Sequence, residues 1–530
     1  MAAIITDDFR RNQARLLVND IKASADASFD TPASNSNESN WPYRGTNRYS
    51  VGLGKTDSWP DNAGPVSEDA VNFVVPVPAG VKQEDEDIIN NLFTLKDVTL
   101  GGVKQLIAKN PWTTGRKYKV YDSADNDAFY STGDLYPCYV TYSNSVYICL
   151  ANTAVDNGFT AVLPSTTAPF TNSSSGNYGF GAPVQGYVWC EVAKISADDP
   201  HVSNQFVPIK RDVDVDPAID ADDKKRSGGL ISHVGIIAGG SGYSNSTTTI
   251  TATIVKHDGT VASPAISFTP IIDGGGVIQR VDIRDPQNSP TDSGSYEFWV
   301  NGDAGSLITN SLALTDRVKS VNFTVTDTNG GAGARLAATV APISGYGKNA
   351  IDILPTWFVG VNTSFTGTEV DGDTPELTFR QVCLMKNFTR NSDGDSNTGI
   401  LDTLRSLTLN APADPLPSLT QGQVLYQAGS NAKFYFDRFV TVGSTTKLYY
   451  HQNSNGEVNM ITPTAVAADE IGTTSGGSQV SAGVSAITDG EYKSRIGDGE
   501  INGEVIFHEN RKPFARSASQ TEEVKLIIQL

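Results

Sequence analysis

GEVIFHENRKPFARSASQTEEVKLIIQL, residues 503–530, is the stretch whose reading decides the fold. Val505 and Phe507, then Val524, Leu526 and Ile528, alternate with polar or outward positions as half-buried strands require. Asn510, Pro513 and the polar run 517–523 interrupt the alternation. The stretch therefore reads as two strands about a polar turn, a terminal hairpin across which Arg511 and Glu522 are expected to pair or cap. Nothing in it forms a catalytic pattern, which points to a building block rather than a catalyst. Its end, Lys525 to Leu530, is expected to tuck into a sheet.

The rest of the chain has the composition of a β-protein. At 530 residues it exceeds one ordinary core, and roughly 150 residues per domain suggests about three or four units. Gly, Ser, Thr, Asn and Asp abound, while long runs of the good helix formers are missing. The fold class expected is all-β dominated, with many turns. The formal charge of −19 comes from 59 acidic against 40 basic residues. The bases are scattered, so no stripe exists to neutralise a phosphate backbone, and no nucleic-acid partner is expected. No apolar run approaches the roughly 20 residues that span a bilayer, and MAAIITDDFRRNQ lacks the basic-then-apolar order of a signal peptide. A soluble protein made in a cytoplasm, without membrane insertion, is the expectation. Cys138, Cys149, Cys190 and Cys383 show no CxxC spacing and read as buried free thiols.

Along the chain, Thr6 can cap a helix whose first turn holds Asp7 and Asp8 and whose apolar face is Phe9, Leu16, Leu17 and Ile21. Residues 24–47 read as a long loop, and YSVGLG (Tyr49 to Gly54) as a strand. Ile88, Ile89, Leu92 and Phe93 form a second helical pattern, followed by strand-like LKDVTLGGVKQLI. Strands are expected at Lys117–Tyr121, Tyr136–Tyr142, Ser145–Leu150 and Gly186–Ile195, with an exposed loop over 152–181 between the last two. After the acidic run 212–226, short strands alternate with the turns GGSGY, DGGG and NGGAGA, the pattern of a small sandwich or barrel. A second such region contains AKFYFDRFVTV and TKLYYHQ, with Phe434, Phe436 and Tyr449 alternating.

Candidate chemistry fails on spacing. Gly239-Gly240-Ser241-Gly242-Tyr243 is not a nucleophile elbow, because Tyr243 stands where Gly is needed, and it lacks the Lys and Ser/Thr of a phosphate loop. Asp393, Asp395 and Asn397 open like a calcium loop, but Thr398 and Leu404 occupy the positions of its Gly and Glu. His508-Glu509 lacks a second His, since Lys512 stands there. Scattered acids do not define a glycosidase pair. The six tryptophans read as core or interface packing rather than a sugar platform. Neither a catalytic residue, nor a cofactor, nor a metal site is expected.

Several stretches, in order, resemble the gene-8 baseplate wedge subunit family of T4-like contractile-tailed phages: FRRNQARLLVNDI and YSVGLGKTDSWP, VYICL and GYVWCEVAKI, TFRQVCLMKN, and residues 503–530. The resemblance covers roughly residues 1–210, 340–400 and 495–530. It implies a β-sandwich core with a few short helices on loops, assembled as a homodimer beside other wedge proteins in the virion tail baseplate, and no enzyme activity. Trp59, Gly186, Tyr187, Trp189, Arg380, Glu509, Asn510, Arg511, Pro513, Thr521, Glu522 and Glu523 occupy matching positions, carried over as fold or interface markers. The expected organisation is a discontinuous core (1–226, 340–411 and 490–530) interrupted by β-rich modules at 227–339 and 412–489. The alternative is a receptor- or glycan-binding tail protein acting through those modules.

Overall fold

The computed structural model describes residues 6–25, 47–59, 73–121, 126–152, 164–166, 168–169, 187–209, 231–256, 259–262, 267–284, 318–340, 350–366, 377–389, 400–402, 404–428, 430, 432–452, 470–474, 479–490, 495–496, 500–516 and 520–530. Strands dominate, as the turn-rich, β-branched composition predicts. The chain divides into two compact units, one made of Met1–Arg15, Lys104–Val359 and Gln529–Leu530, the other of Leu16–Val103 and Gly360–Ile528.

In the first unit, strands Tyr139–Tyr142, Ser145–Asn152 and Tyr187–Lys194 form an antiparallel sheet in that order. Period-two alternation gives it two faces. Val146, Ile148, Cys190 and Val192 pack with Ile107, Val207 and the short helix Ala350–Ile353. On the other face Tyr147, Cys149, Tyr187 and Trp189 pack with Tyr118 and Val140. A β-rich module follows. Strand Ile231–Ser241 pairs with Ala332–Val340, Thr248–Lys256 with Val318–Asp327, and Ser267–Ile272 with Ile278–Arg284, all antiparallel. Val234, Ile250, Ile254, Phe268 and Ile278 form its core.

The second unit holds a five-stranded antiparallel sheet in the order Ile400–Asp402, Leu92–Asp97, Tyr49–Gly54, Phe379–Lys386, Glu504–Phe514. Glycine in a central strand such as YSVGLG has a local cause. A Cβ on Gly52 would lie 2.7 Å from a Leu92 methyl and 2.9 Å from the Cys383 sulfur, closer than packed side chains tolerate. Helix Lys82–Asn91 covers one face with Ile88 and Ile89, against Leu95, Cys383 and Met385. Six more strands close a barrel: around it run Arg405–Pro412, Thr445–His451, Lys433–Val442, Val424–Gln427, Ile471–Gly472 and Ser481–Thr488. Leu407, Phe434, Phe436, Leu448 and Tyr450 fill it.

Three sequence expectations change. The first helix, Asp7–Ala25, starts where Thr6 predicts, with the Phe9 amide donating to Thr6 Oγ1 at 3.2 Å. Its buried stripe, however, is Ala14, Val18 and Ile21, spaced four and three, whereas Phe9 is 52% exposed. The second helix ends at Asn91, and Leu92 and Phe93 open a strand. Ile88, Ile89, Leu92 and Phe93 keep helical spacing across Asn90 and Asn91, but the sheet captures Leu92 and Phe93. Most consequentially, the two terminal strands do not form a hairpin. Glu504–Phe514 pairs with Phe379–Lys386, while Thr521–Gln529 joins Phe358–Thr366 in a different sheet. The chain therefore changes sheets between Phe514 and Thr521, a corner of which residues 517–519 lie outside the described residues. All four cysteines are buried and unbridged.

Candidate functional site

The matched residues of the second unit gather at this corner. Trp59, six residues beyond Leu53 in the central strand, is buried and donates its indole Nε1–H to the Arg511 carbonyl at 2.9 Å. Lys55 Nζ lies 4.8 Å from the centre of the Trp59 ring and 3.1 Å from Asp57 Oδ2, so its charge is shared between a π face and a carboxylate. Arg380 is buried and donates to the Thr56 carbonyl at 2.7 Å. Asn510 faces Gln381 across the ladder, accepting from its Nε2 at 2.9 Å, and donates to the Pro76 carbonyl at 3.0 Å. Segments 56–59, 76, 380–381 and 510–511 are thus joined by side chains that reach backbone carbonyls.

Pro513 sits where it does least harm. The register slips between the pairs Phe379–Phe514 and Gln381–Asn510, so Arg511, Lys512 and Pro513 bulge from the ladder and the missing proline N–H costs no strand hydrogen bond. Arg511 pairs with Glu509 at 3.1 Å and reaches the Lys525 carbonyl at 3.4 Å. The expected Arg511–Glu522 pair is therefore wrong. Glu522 takes Arg516 instead, with Nε and Oε2 2.5 Å apart, and the Arg516 guanidinium also lies over the Phe365 ring at 5.7 Å. The corner brings residue 516 back over the buried face of the terminal strand, which Arg511 does not reach. Thr521 and Glu523 face outward, and Glu523 pairs with Lys525 at 3.2 Å.

Next to this corner, Glu84 occupies the third position of helix Lys82–Asn91 and turns back to accept the Ala79 and Gly80 amides at 2.8 and 2.9 Å. Both amides precede the N-cap Val81, so Glu84 holds the segment that leads into the helix. Its other oxygen faces His508 Nε2 at 3.4 Å. Burial raises the neighbouring Asp85 carboxyl above its ordinary range, opposed by His508 and assisted by the Glu84 charge. His508 and Glu509 adjoin in sequence and point to opposite faces of an extended strand, so they do not converge as a metalloprotease pair would.

Tyr187 and Trp189 lie in the first unit, two residues apart on one strand face. Their rings stack at 5.8 Å with 10° between planes, and Tyr118 meets Trp189 edge-on at 5.3 Å. The Tyr118 amide donates to the Tyr187 hydroxyl at 3.2 Å. Burial pushes both phenols upward and keeps them protonated. This is a packed aromatic core, in keeping with the packing role read from the tryptophans. Gly186, the calcium-like run 393–397 and the acidic run 212–226 lie outside the described residues.

Sequence reasoning missed Arg516, Gln381, Glu84 and Lys55. Only Glu84 carried a signal, an acidic residue in the first turn of an apolar helical pattern. Gln381 is defined by Asn510, 129 residues distant, whereas Lys55 and Arg516 meet partners two to six residues away through bends of the chain that no repeat in the sequence announces. Among the described residues, no helix is long and apolar enough to cross a membrane, and no group of three or more His, Cys, Asp or Glu converges as a metal site. No protein-family model matches the chain, and no curated protein sequence matches it.

Proposed function

We propose that the chain is a structural subunit of a contractile-tail baseplate wedge, acting as a homodimer among other wedge proteins and without catalytic activity. The reading rests on the ordered stretches that resemble that family. The single observation that carries it is the corner itself. Three of those stretches contribute Trp59, Arg380 with Gln381, and Asn510 with Arg511 to one network of hydrogen bonds. These residues lock backbone carbonyls in place. Such a network favours a rigid element held for assembly.

The receptor- or glycan-binding reading has less to draw on. Of the barrel aromatics that suggested it, Phe434 and Phe436 are spent in the core. Tyr449 remains on the outside, with Arg438 stacked 4.2 Å from its ring centre.

Antibody labelling of intact tails tests the first reading, with signal at the baseplate as the expected result. Label elsewhere, or on no tail structure, overturns it. Binding of the full chain to glycan arrays or host envelopes would favour the second.

A further inference from the structure

We infer that the outer edge of the terminal strand Thr521–Gln529 is where a second copy of this chain docks, through antiparallel pairing of the two terminal strands about a two-fold axis at Val524. The inference rests on the homodimeric reading above and names its interface.

The edge is defined by hydrogen-bond direction. Among the described residues this strand has one strand neighbour, Phe358–Thr366. The Leu530 amide donates to the Trp357 carbonyl at 3.1 Å. Backbone groups along a strand alternate sides, so the even-numbered residues point inward, toward that neighbour. The odd-numbered residues Thr521, Glu523, Lys525, Ile527 and Gln529 then present N–H and C=O outward. Arg511 reaching the Lys525 carbonyl at 3.4 Å agrees with that direction.

The two edge strands of the corner differ as templates. Glu504–Phe514 carries Pro513 and two register shifts, features that blunt an edge against further pairing. Thr521–Gln529 has neither Pro nor Gly, runs nine residues and is rich in β-branched side chains, which suits strand addition.

Charge selects the partner and the register. With the axis at Val524, Glu523 of one copy stands opposite Lys525 of the other, and the reverse pair forms by symmetry. These are outward-facing backbone positions, so each pair exchanges two hydrogen bonds, while Val524 meets its own copy as a non-hydrogen-bonded pair. Glu523 and Lys525 already lie on one side of the strand, 3.2 Å apart, so the opposite charges meet across the axis without a side chain crossing the sheet. The axis placed at Lys525 would set like charges face to face. Arg511 yields the Lys525 carbonyl to the incoming Glu523 amide and keeps Glu509.

Sedimentation equilibrium of the full chain at micromolar concentration tests this. The parent is expected at twice the chain mass. Glu523→Lys sets Lys against Lys at both sites and is expected to weaken association about tenfold or more. Glu523→Lys combined with Lys525→Glu restores it to within about threefold of the parent. Circular dichroism checks that both variants keep the parent fold, as expected for outward side chains. A parent monomer overturns the inference, as does a dimer indifferent to Glu523→Lys or one that the swap does not rescue. An indifferent dimer leaves the structural-subunit reading standing, because tail labelling decides that independently.

Discussion

Glu522 is buried against Arg516, with Oε2 2.5 Å from Nε and the two side chains 4% and 1% exposed. It shares the inward face of the terminal strand with Val524, Leu526 and Ile528. A carboxylate in an apolar row is tolerated because the corner folds the guanidinium of Arg516, six residues earlier, onto it. The pair therefore ties the corner to the sheet it enters.

Removing one partner strands the other charge in a dry site, at a cost of about 3–5 kcal/mol, whereas replacing both with apolar residues of similar size costs little. Arg516→Ala or Glu522→Ala should lower the stability of the full chain by that amount in urea unfolding. Arg516→Met with Glu522→Leu should recover most of it. A single variant within 1 kcal/mol of the parent, by the same scale, would show that the pair does not anchor the corner.

Trp59 supplies the second tie. Trp59→Phe keeps an aromatic ring beneath Lys55 and deletes the N–H that the Arg511 carbonyl accepts. A buried acceptor left unmet costs about 1–3 kcal/mol, and the bulge at Arg511 to Pro513 should open first. Hydrogen exchange of the 505–516 region should accelerate while the barrel region 405–488 keeps its protection. Uniform acceleration across both would refute the assignment.

These two ties also mark what the sequence could and could not disclose. The alternation of Val524, Leu526 and Ile528 is visible because a strand's inner face repeats every two residues. Pairing is not visible. Thr521–Gln529 neighbours a strand more than 150 residues earlier, and nothing in TEEVKLIIQ names it. Without the partner, two strands about a polar stretch look like a hairpin. Once they are split between sheets, Arg511 and Glu522 part company and Arg516 becomes the buried base. The all-β class, the helix cap at Thr6 and the strands through Val146 and Trp189 rest on local patterns and were readable. The end of the second helix at Asn91 was not, since Leu92 and Phe93 continue the helical spacing of Ile88 and Ile89.

In the β-module of the first unit, Tyr243 is held by glycine. A Cβ on Gly331 would lie 2.5 Å from its ring, and the Tyr243 hydroxyl accepts the Ala334 amide at 3.1 Å. Gly331→Ala must displace a buried ring or its backbone clamp, an overpacking cost of about 1–3 kcal/mol. Gly330→Ala is the contrasting change. That position has φ +92° but open space around it, so its penalty is backbone strain without steric conflict at Tyr243. Near-ultraviolet circular dichroism should register a changed tyrosine environment for Gly331→Ala and not for Gly330→Ala. Equal spectra would remove the packing explanation.

The same turn predicts a pH dependence. Asp327 accepts the Thr247 hydroxyl at 2.6 Å, the Gly331 amide at 3.0 Å, the Thr248 hydroxyl at 2.9 Å and the Asn329 amide at 2.9 Å. Every donor favours the ionised form, so the carboxyl falls from its ordinary 3.8 to about 2, slight desolvation opposing the shift. Asp273 repeats the device with the Val277 and Gly275 amides, both at 2.9 Å, and is likewise lowered. A folded value below the unfolded one means that the folded state binds fewer protons in that range. The stabilisation is therefore complete above about pH 4 and is lost as pH falls toward about 2. Asp327→Asn cannot ionise and presents an amide where two backbone donors converge. Its melting temperature should lie below the parent's by a constant gap from neutrality to about pH 5, and the gap should close between about pH 4 and 2. Thermal scans of the two proteins across that range decide the matter. A gap that stays open at pH 2, or that widens there, would mean that the clamp stabilises the turn by shape rather than by the charge of Asp327.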